Sequence, residues 1–126
     1  MIIYISGAIT GTKNNNELAF NHACLEIKKM VKRQFPKESV KTINPNKIGK
    51  AMRKEYSKQG KGEPEWTEYM RACIKKLCEA DCAFFLPNWA ESKGASLERH
   101  IAQRLDIPCA DNMEILKQIL TSMYKT

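Results

Sequence analysis

The sequence predicts an α/β domain in which helices cover both faces of a mostly parallel sheet. Short β-rich runs alternate with amphipathic helical segments, in the order β, α, β, α, β, α, β, α, as in parallel strands joined by crossover helices. The chain has 126 residues, which suffice for one core but not for two. We therefore expect a single domain over residues 1–126.

The amino-terminal half supplies two of the predicted strands. Ile2 to Ser6 is a short apolar run that ends at a glycine, as a buried parallel strand does, and Gly7 to Asn16 is a loop. From Glu17 to Gln34 apolar residues recur at three- and four-residue steps, which predicts an amphipathic helix. Val40 to Asn44, which a proline follows, is the second predicted strand.

The carboxy-terminal half continues the alternation. A regular apolar stripe predicts a helix over Trp66 to Cys78, and Cys82 to Leu86 follows as a third strand. The remaining predicted elements are a helix over Glu91 to Leu105, a short strand over Ile107 to Ala110 and a closing helix over Met113 to Met123.

The stretch from Lys47 to Glu65 is polar, basic and contains glycine. We predict that residues 47–65 form a flexible loop that closes over a pocket as a lid, because long polar loops in compact domains are often functional. The chain as a whole has a net charge of +7, but its basic residues are scattered. This charge favours attraction of a small phosphorylated substrate over binding of a polynucleotide.

Composition excludes several classes of protein. The longest apolar runs are far shorter than the roughly 20 residues of a membrane span, and no signal-peptide pattern opens the chain. We therefore expect a cytoplasmic protein without a membrane partner. The five cysteines lack paired spacings and are accompanied by only two histidines, so we expect reduced thiols, no disulfide framework and no metal site.

Two loops leave the carboxyl ends of predicted strands, where open parallel sheets bind their ligands. In the first loop, glycines let backbone amides approach an anion, although an ordinary tight turn also uses glycine. Its candidate binding residues are Ser6, Gly7, Ala8, Ile9, Thr10 and Gly11. The second loop leads into the helix that carries Glu98, and its candidates are Asn88, Trp89, Ser92 and Gly94.

Glu98 is the strongest single candidate for chemistry. It lies three residues after Ala95 and four before Ala102, in line with Leu105, which puts it in the inward-facing row of its helix. Burial raises the pKa of a carboxyl group unless partners compensate, and such groups are candidates for acid, base or nucleophile roles. The alternative is a partly exposed glutamate paired with Arg99 or a lysine.

Motifs at five places form a wider pattern: Tyr4 to Gly11, Asn44-Pro45, Trp66 to Arg71, Asp81 and Ser92 to Glu98. Together they resemble the nucleoside 2-deoxyribosyltransferase superfamily, and within it a subgroup of short proteins that phages or prophages often carry. The resemblance implies a flavodoxin-like or Rossmann-like three-layer sandwich with four to five strands. It also implies cleavage or transfer of an N-glycosidic bond without a cofactor, and a homodimer or larger homo-oligomer.

The resemblance assigns roles to individual residues. Glu98 stands at the position of the nucleophile that attacks the anomeric carbon, and Tyr4 at that of a tyrosine that touches it. For Tyr4, a core tyrosine with a satisfied hydroxyl is the alternative. Water or a second base would then accept the sugar. Trp89 and Trp66 are candidates for stacking on the base and, equally, for packing.

Ser92 bears on the class of substrate. Relatives that act on free nucleosides carry an aspartate six residues before the nucleophile, whereas the 5′-monophosphate N-glycoside hydrolases carry a serine there, as this chain does. A hydroxyl at the start of a helix binds phosphate together with backbone amides, although serine is also an ordinary N-cap. We therefore expect a phosphorylated ligand.

One position departs from the family. Active relatives carry an aspartate eight residues before Asp81, where it handles the base or the leaving group, and this chain has Cys73. Cys73 belongs to an apolar stripe, so we expect a packed thiol. Loss of a proton donor typically slows a reaction by about 10²- to 10⁴-fold. The chain is then slow, uses another acid such as Glu65 or Glu68, or binds a nucleotide without cleaving it.

The leading hypothesis is therefore an N-glycoside hydrolase or 2-deoxyribosyltransferase that acts on a (deoxy)nucleoside 5′-monophosphate. A non-catalytic nucleotide-binding protein is the first alternative. A nucleic-acid-associated phage protein is the second, because the chain is basic.

Overall fold

In the computed structural model, which describes residues 1–125, one sheet of four parallel strands has helices on both of its faces. The strands are β1 (Ile2–Ser6), β2 (Lys41–Ile43), β3 (Cys82–Phe85) and β4 (Cys109–Ala110), and they lie in the order β2-β1-β3-β4. All three neighbouring pairs are parallel. The predicted fold class is confirmed, and the architecture agrees with a flavodoxin-like or Rossmann-like three-layer sandwich.

The five helices are α1 (Glu17–Gln34), α2 (Pro45–Lys58), α3 (Trp66–Cys78), α4 (Lys93–Arg104) and α5 (Met113–Tyr124). Short 3₁₀ turns precede α1 and α4, at Lys13–Asn16 and Trp89–Glu91. The predicted bounds of α1 and α3 are confirmed, whereas α4 begins two residues later than predicted because Ser92 caps it. Within residues 1–125, no helix has both the length and the apolar character needed to cross a bilayer.

Side chains of the central strand β1 alternate between two hydrophobic cores. Ile3 and Ile5 pack under α1 and α5, while Tyr4 packs on the opposite face with Phe85 and Leu77. Successive side chains of a strand point to opposite faces, so Ser6 lies on the same face as Tyr4. The second face of the sheet therefore carries two hydroxyl groups, one from each of these residues.

The prediction of a flexible lid loop over residues 47–65 is wrong for residues 47–58, because these residues belong to helix α2. The helix begins with strong signals, because the Asn44 side chain accepts a hydrogen bond from the Asn46 N–H at 3.0 Å and Pro45 occupies the first turn. Its buried positions, however, are Pro45, Asn46 and Gly49. None of these makes an apolar stripe, so periodicity does not reveal the helix.

The order of the strands reverses between β1 and β3. From β1 the chain moves outward to β2, and it then returns to the other side of β1 to form β3 and β4. Crevices open at the carboxyl ends of the strands at such a reversal, and they are the usual ligand sites of open α/β sheets. The loop after β1 and the turn before α4 both lie at this point.

Candidate active site

A cavity of about 500 Å³ lies at the reversal of strand order. The loop after β1 supplies one wall through Gly7, Ile9 and Thr10, and the start of α4 supplies another. The amino-terminal half of α3 contributes a third wall, which includes Tyr69 and Cys73. Its volume is within the range of small-molecule sites in proteins.

Glu98 lies on α4 with its carboxyl group turned into this cavity. The side chain is only 4% exposed, so the prediction that it faces inward is confirmed. Leu105, predicted in the same row, is instead exposed, because α4 ends at Arg104. Its Oε1 accepts a hydrogen bond from Ser6 Oγ at 2.7 Å, and its Oε2 accepts one from the Tyr4 hydroxyl. The two hydroxyl groups of strand β1 therefore hold the carboxyl group from below.

Burial raises the pKa of the Glu98 carboxyl group to about 7, and the hydrogen bonds from Tyr4 and Ser6 only partly oppose this rise. Burial and the nearby Glu98 charge also hold the pKa of Tyr4 well above its ordinary value. Tyr4 therefore stays a neutral donor at physiological pH. Near pH 7, both the protonated and the ionised form of Glu98 are populated, and the ionised form accepts both hydrogen bonds.

Arg99, the predicted alternative partner of Glu98, points away from the cavity. Its guanidinium group donates to both carboxylate oxygens of Asp111, through Nη2 to Oδ2 at 3.2 Å and through Nη1 to Oδ1. It also lies against two aromatic rings, 4.8 Å from the centroid of Phe85 and 4.5 Å from that of Trp89. The predicted pairing of Glu98 with Arg99 is thus wrong, and Arg99 does not compensate the buried charge of Glu98.

Ser92 is both a helix cap and a residue of the cavity wall. Its Oγ accepts a hydrogen bond from the Ala95 N–H at 3.1 Å, which satisfies one of the free donors of α4. The hydroxyl hydrogen takes no part in this bond and remains free to donate to a ligand. Next to it, the Lys93 ammonium group lies 4.4 Å from the centroid of the Trp66 ring, and both side chains line the cavity.

Gly7 marks a close approach at the end of β1. A Cβ atom at this position would lie 2.8 Å from Cδ1 and 2.9 Å from Cβ of Leu86. Only glycine lets the two chain segments pass this closely. The wall that contains Gly7 is therefore fixed against the residue that follows β3.

Cys73 lies in the cavity wall and is 1% exposed. Burial raises the pKa of its thiol to about 11, and the Glu98 charge adds to the rise. The thiol is thus protonated at neutral pH. The predicted substitute acids, Glu65 and Glu68, lie outside the cavity lining, because they cap the start of α3 reciprocally and are exposed.

Several predicted binding residues do not line the cavity. Ala8, Gly11 and Asn88 are absent from its wall, and so is Trp89. Ser6 is also absent from the wall, because it is fully buried and its hydroxyl donates to Glu98. The Trp89 ring meets Phe85 at 5.7 Å between centroids, edge to face, so Trp89 packs rather than stacks on a ligand. The predicted residues that do line the cavity, besides Glu98 and Cys73, are Gly7, Ile9, Thr10, Trp66, Ser92 and Gly94.

Sequence reasoning missed Tyr69, although its ring forms part of the cavity wall. Its hydroxyl donates to the carbonyl oxygen of Pro45 at 3.1 Å and thereby connects α3 to the start of α2. In the sequence, Tyr69 belongs to the apolar stripe that predicts α3, and this pattern alone is typical of a core residue. The signal that could have identified it is its spacing of four residues from Cys73, which places both side chains on one face of α3.

No curated protein and no solved structure matches the chain significantly. A family model described as a domain of unknown function, DUF4406, matches residues 1–111. This match covers most of the chain and every residue that lines the cavity. The chain therefore belongs to the DUF4406 domain family.

Proposed function

We propose that the chain cleaves the N-glycosidic bond of a (deoxy)nucleoside 5′-monophosphate, with Glu98 as the nucleophile. One observation carries the proposal: a buried carboxyl group, held by two hydroxyl groups, faces a cavity large enough for a small molecule. A fixed carboxylate beside a sugar-sized space is the arrangement that covalent glycosyl transfer requires.

In the proposed reaction, the ionised Glu98 attacks C1′ while the bond from C1′ to the base breaks. The electron pair of that bond leaves with the base, and the transition state resembles an oxocarbenium ion. The product of this step is a glycosyl ester on Glu98. Water, or a second base, then attacks C1′ and releases the carboxylate. Tyr4 and Ser6 orient the nucleophile throughout and stabilise its ionised form.

The start of α4 suits the 5′-phosphate of such a substrate. Helix N-termini present free backbone N–H groups and the positive end of the helix dipole, which together favour anions. Here the Ser92 hydroxyl and the Lys93 ammonium group lie at the same place and line the cavity. The charge of +7 adds a general attraction for phosphate.

The leaving group determines the expected rate. A departing base gains negative charge, and a general acid that protonates it typically accelerates the step by about 10²- to 10⁴-fold. The Cys73 thiol, with its pKa of about 11, is a weak acid for this purpose. Glu91 is the other carboxyl group in the cavity lining, and it lies on the exposed rim. We therefore expect slow turnover that is fastest with bases that leave readily.

The experiment is to incubate the protein with each of the four deoxynucleoside monophosphates and to follow free base by chromatography. Glu98→Gln should abolish release, whereas Glu114→Gln, which neutralises an exposed glutamate on α5, should leave it unchanged. A slow substrate should leave the mass of one deoxyribosyl phosphate on the peptide that contains Glu98. Release that persists in Glu98→Gln would contradict the proposed nucleophile.

A nucleotide-binding protein without catalysis is the second candidate, and the position of Cys73 in the cavity wall favours it. This function predicts that nucleoside monophosphates raise the melting temperature while no base is released. Base release by the natural protein would contradict it.

A further inference from the structure

We propose that a second cavity, next to the first, binds an anionic substituent on the base of the substrate, and that Arg53 is its cationic partner. This inference rests on the proposed function, since it concerns the leaving group of the same reaction. It specifies the class of substrate as a nucleoside monophosphate whose planar base carries a carboxylate or a similar oxyanion.

The second cavity has a volume of about 400 Å³ and adjoins the first. Four residues line both cavities: Ile9, Thr10, Trp66 and Tyr69. Two of these are aromatic, and aromatic rings offer flat apolar surfaces to a planar base. A ligand with its sugar at Glu98 can therefore extend its base along the wall that these residues form, toward the second cavity.

Arg53 lines the second cavity from helix α2, and its side chain is half-buried. Among residues 1–125, it has neither a hydrogen bond nor an ion pair to another side chain. A partly desolvated guanidinium group without a partner is unfavourable, and an oxyanion compensates it best because two parallel N–H donors match two oxygens. The unpaired Arg53 is thus the observation that points to an anionic ligand.

Gly49 allows Arg53 to take this position. A Cβ atom at residue 49 would lie 3.2 Å from Nη1 of Arg53 and 3.2 Å from Cε1 of Tyr69. Without that atom, the guanidinium group folds back along α2 beside the Tyr69 ring. Because Gly49 has no side chain, the Arg53 guanidinium group can lie next to Tyr69, which lines both cavities.

The part of the second cavity's wall that Asn15 and Asn46 form is polar. Asn46 is 6% exposed, and its Nδ2 donates to the carbonyl oxygen of Asn15 at 2.9 Å. Asn15 has a left-handed backbone with φ of 56°, as do Asn14 and Asn16 beside it. Non-glycine residues adopt this region at a cost, and such strain persists only where neighbouring contacts hold it, often at binding sites.

Glu63 also lines the second cavity and opposes the attraction for an anion. It is exposed, so water and salt screen its charge, whereas Arg53 is half-buried and is screened less. The cationic side chain therefore dominates inside the cavity. Removal of the Glu63 charge should increase the affinity for an anion.

Two matched pairs of nucleotides test this inference by calorimetry on the full chain. Nicotinic acid mononucleotide has a ring carboxylate where nicotinamide mononucleotide has a neutral carboxamide. Orotidine 5′-monophosphate has a ring carboxylate where uridine 5′-monophosphate has a hydrogen. In at least one pair, we expect the carboxylate member to bind about tenfold to a hundredfold more tightly, as a charged hydrogen-bonded pair provides. Arg53→Gln should remove this preference, and Glu63→Gln should enlarge it.

Lys54→Gln is the matched control, because it removes the same charge from an exposed neighbour on α2 that does not line the cavity. It should keep the preference. If Arg53→Gln does not fold, as judged by its melting curve, Arg53→Lys replaces it and should reduce the preference, because lysine lacks the paired donors.

Equal affinity for both members of each pair, or a preference that persists without Arg53, would overturn the inference. If deoxynucleoside monophosphates are cleaved while neither pair shows a preference, this inference fails and the proposed function stands. If no nucleotide binds at all, both fail together.

Discussion

The hydroxyl of Tyr4 donates a hydrogen bond to the carboxyl group of Glu98, and this contact joins the central strand β1 to helix α4 beneath the cavity. The two residues are 94 positions apart in the chain, and both are buried. Burial of Tyr4 in the core fixes the direction of its hydroxyl. The pKa of Glu98 therefore depends on the Tyr4 hydroxyl, a donor that lies in the core and is not exchanged for water.

The first prediction concerns this hydrogen bond. If ionised Glu98 is the nucleophile, kcat/KM of the natural protein should fall as the pH drops through about 7. Tyr4→Phe removes a donor that lowers the pKa of Glu98, so the acidic limb of the profile should move to higher pH. Tyr124→Phe is the control, because its buried hydroxyl has no hydrogen-bond partner within residues 1–125. An unshifted limb in Tyr4→Phe would contradict the role of the hydrogen bond.

The second prediction concerns stability. The pKa of Glu98 is about 7 in the folded protein and 4.5 in the ordinary carboxyl, so between these values the folded state holds a proton that the unfolded state releases. Stability should therefore fall as the pH rises across this window, by on the order of 3 kcal/mol in total. Glu98→Gln should remove this slope, which urea unfolding at pH 5 and pH 8 measures.

Glu114→Gln serves as the control for the stability experiment, because Glu114 is exposed. It should keep the slope of the natural protein. An identical slope in Glu98→Gln would show that other groups govern the pH dependence.

The third prediction concerns the missing acid. Cys73→Asp places a second carboxyl group beside Glu98, and two carboxyl groups that share a buried site keep one proton between them at neutral pH. That proton is available to the departing base, so base release should increase, within the range of about 10²- to 10⁴-fold that a general acid provides. Cys73→Ser is the control of similar size without a suitable acid. Equal rates in the two variants would exclude this role for residue 73.

The fourth prediction concerns the close approach at the end of β1. Gly7→Ala places a Cβ atom within 3 Å of Leu86, so the strand end must shift. We expect a loss of about 1–3 kcal/mol in the free energy of unfolding, as overpacking usually causes. Gly62→Ala is the matched control, because no atom lies within 4 Å of the added carbon. Equal stability of the two variants in urea would argue against a tight contact.

The sequence predicted those helices whose buried residues recur at regular helical spacing. The apolar stripe of Trp66 to Cys78 predicted the bounds of α3, and the row of Ala95, Glu98 and Ala102 predicted the one buried carboxyl group of α4. Both predictions use the same physical fact, that a helix packed on a sheet buries one face. A charged residue in that row is conspicuous because charge and burial oppose each other.

The second cavity was not predictable by the same reasoning. Helix α2 buries Pro45, Asn46 and Gly49, so its packing depends on backbone contacts and polar groups and leaves no apolar period. Without such a period, the basic residues of this segment predict a solvated loop. The sequence does not distinguish Arg53, which lines a cavity, from its exposed basic neighbours. The prediction that Trp89 binds the ligand was wrong for a different reason. The sequence of a loop does not show on which side of the loop a tryptophan ring lies.

The position of Arg99, immediately after Glu98, has a consequence for catalysis. Its guanidinium group lies against both Phe85 and Trp89 and is hydrogen-bonded to Asp111, and these contacts oppose a rotation of α4 about its own axis. Phe85, Trp89 and Asp111 do not line the cavity, so this support for the direction of the neighbouring Glu98 side chain comes from outside it. In the proposed reaction, an incoming sugar would meet a carboxylate that is already positioned, so binding energy would not be spent on turning it.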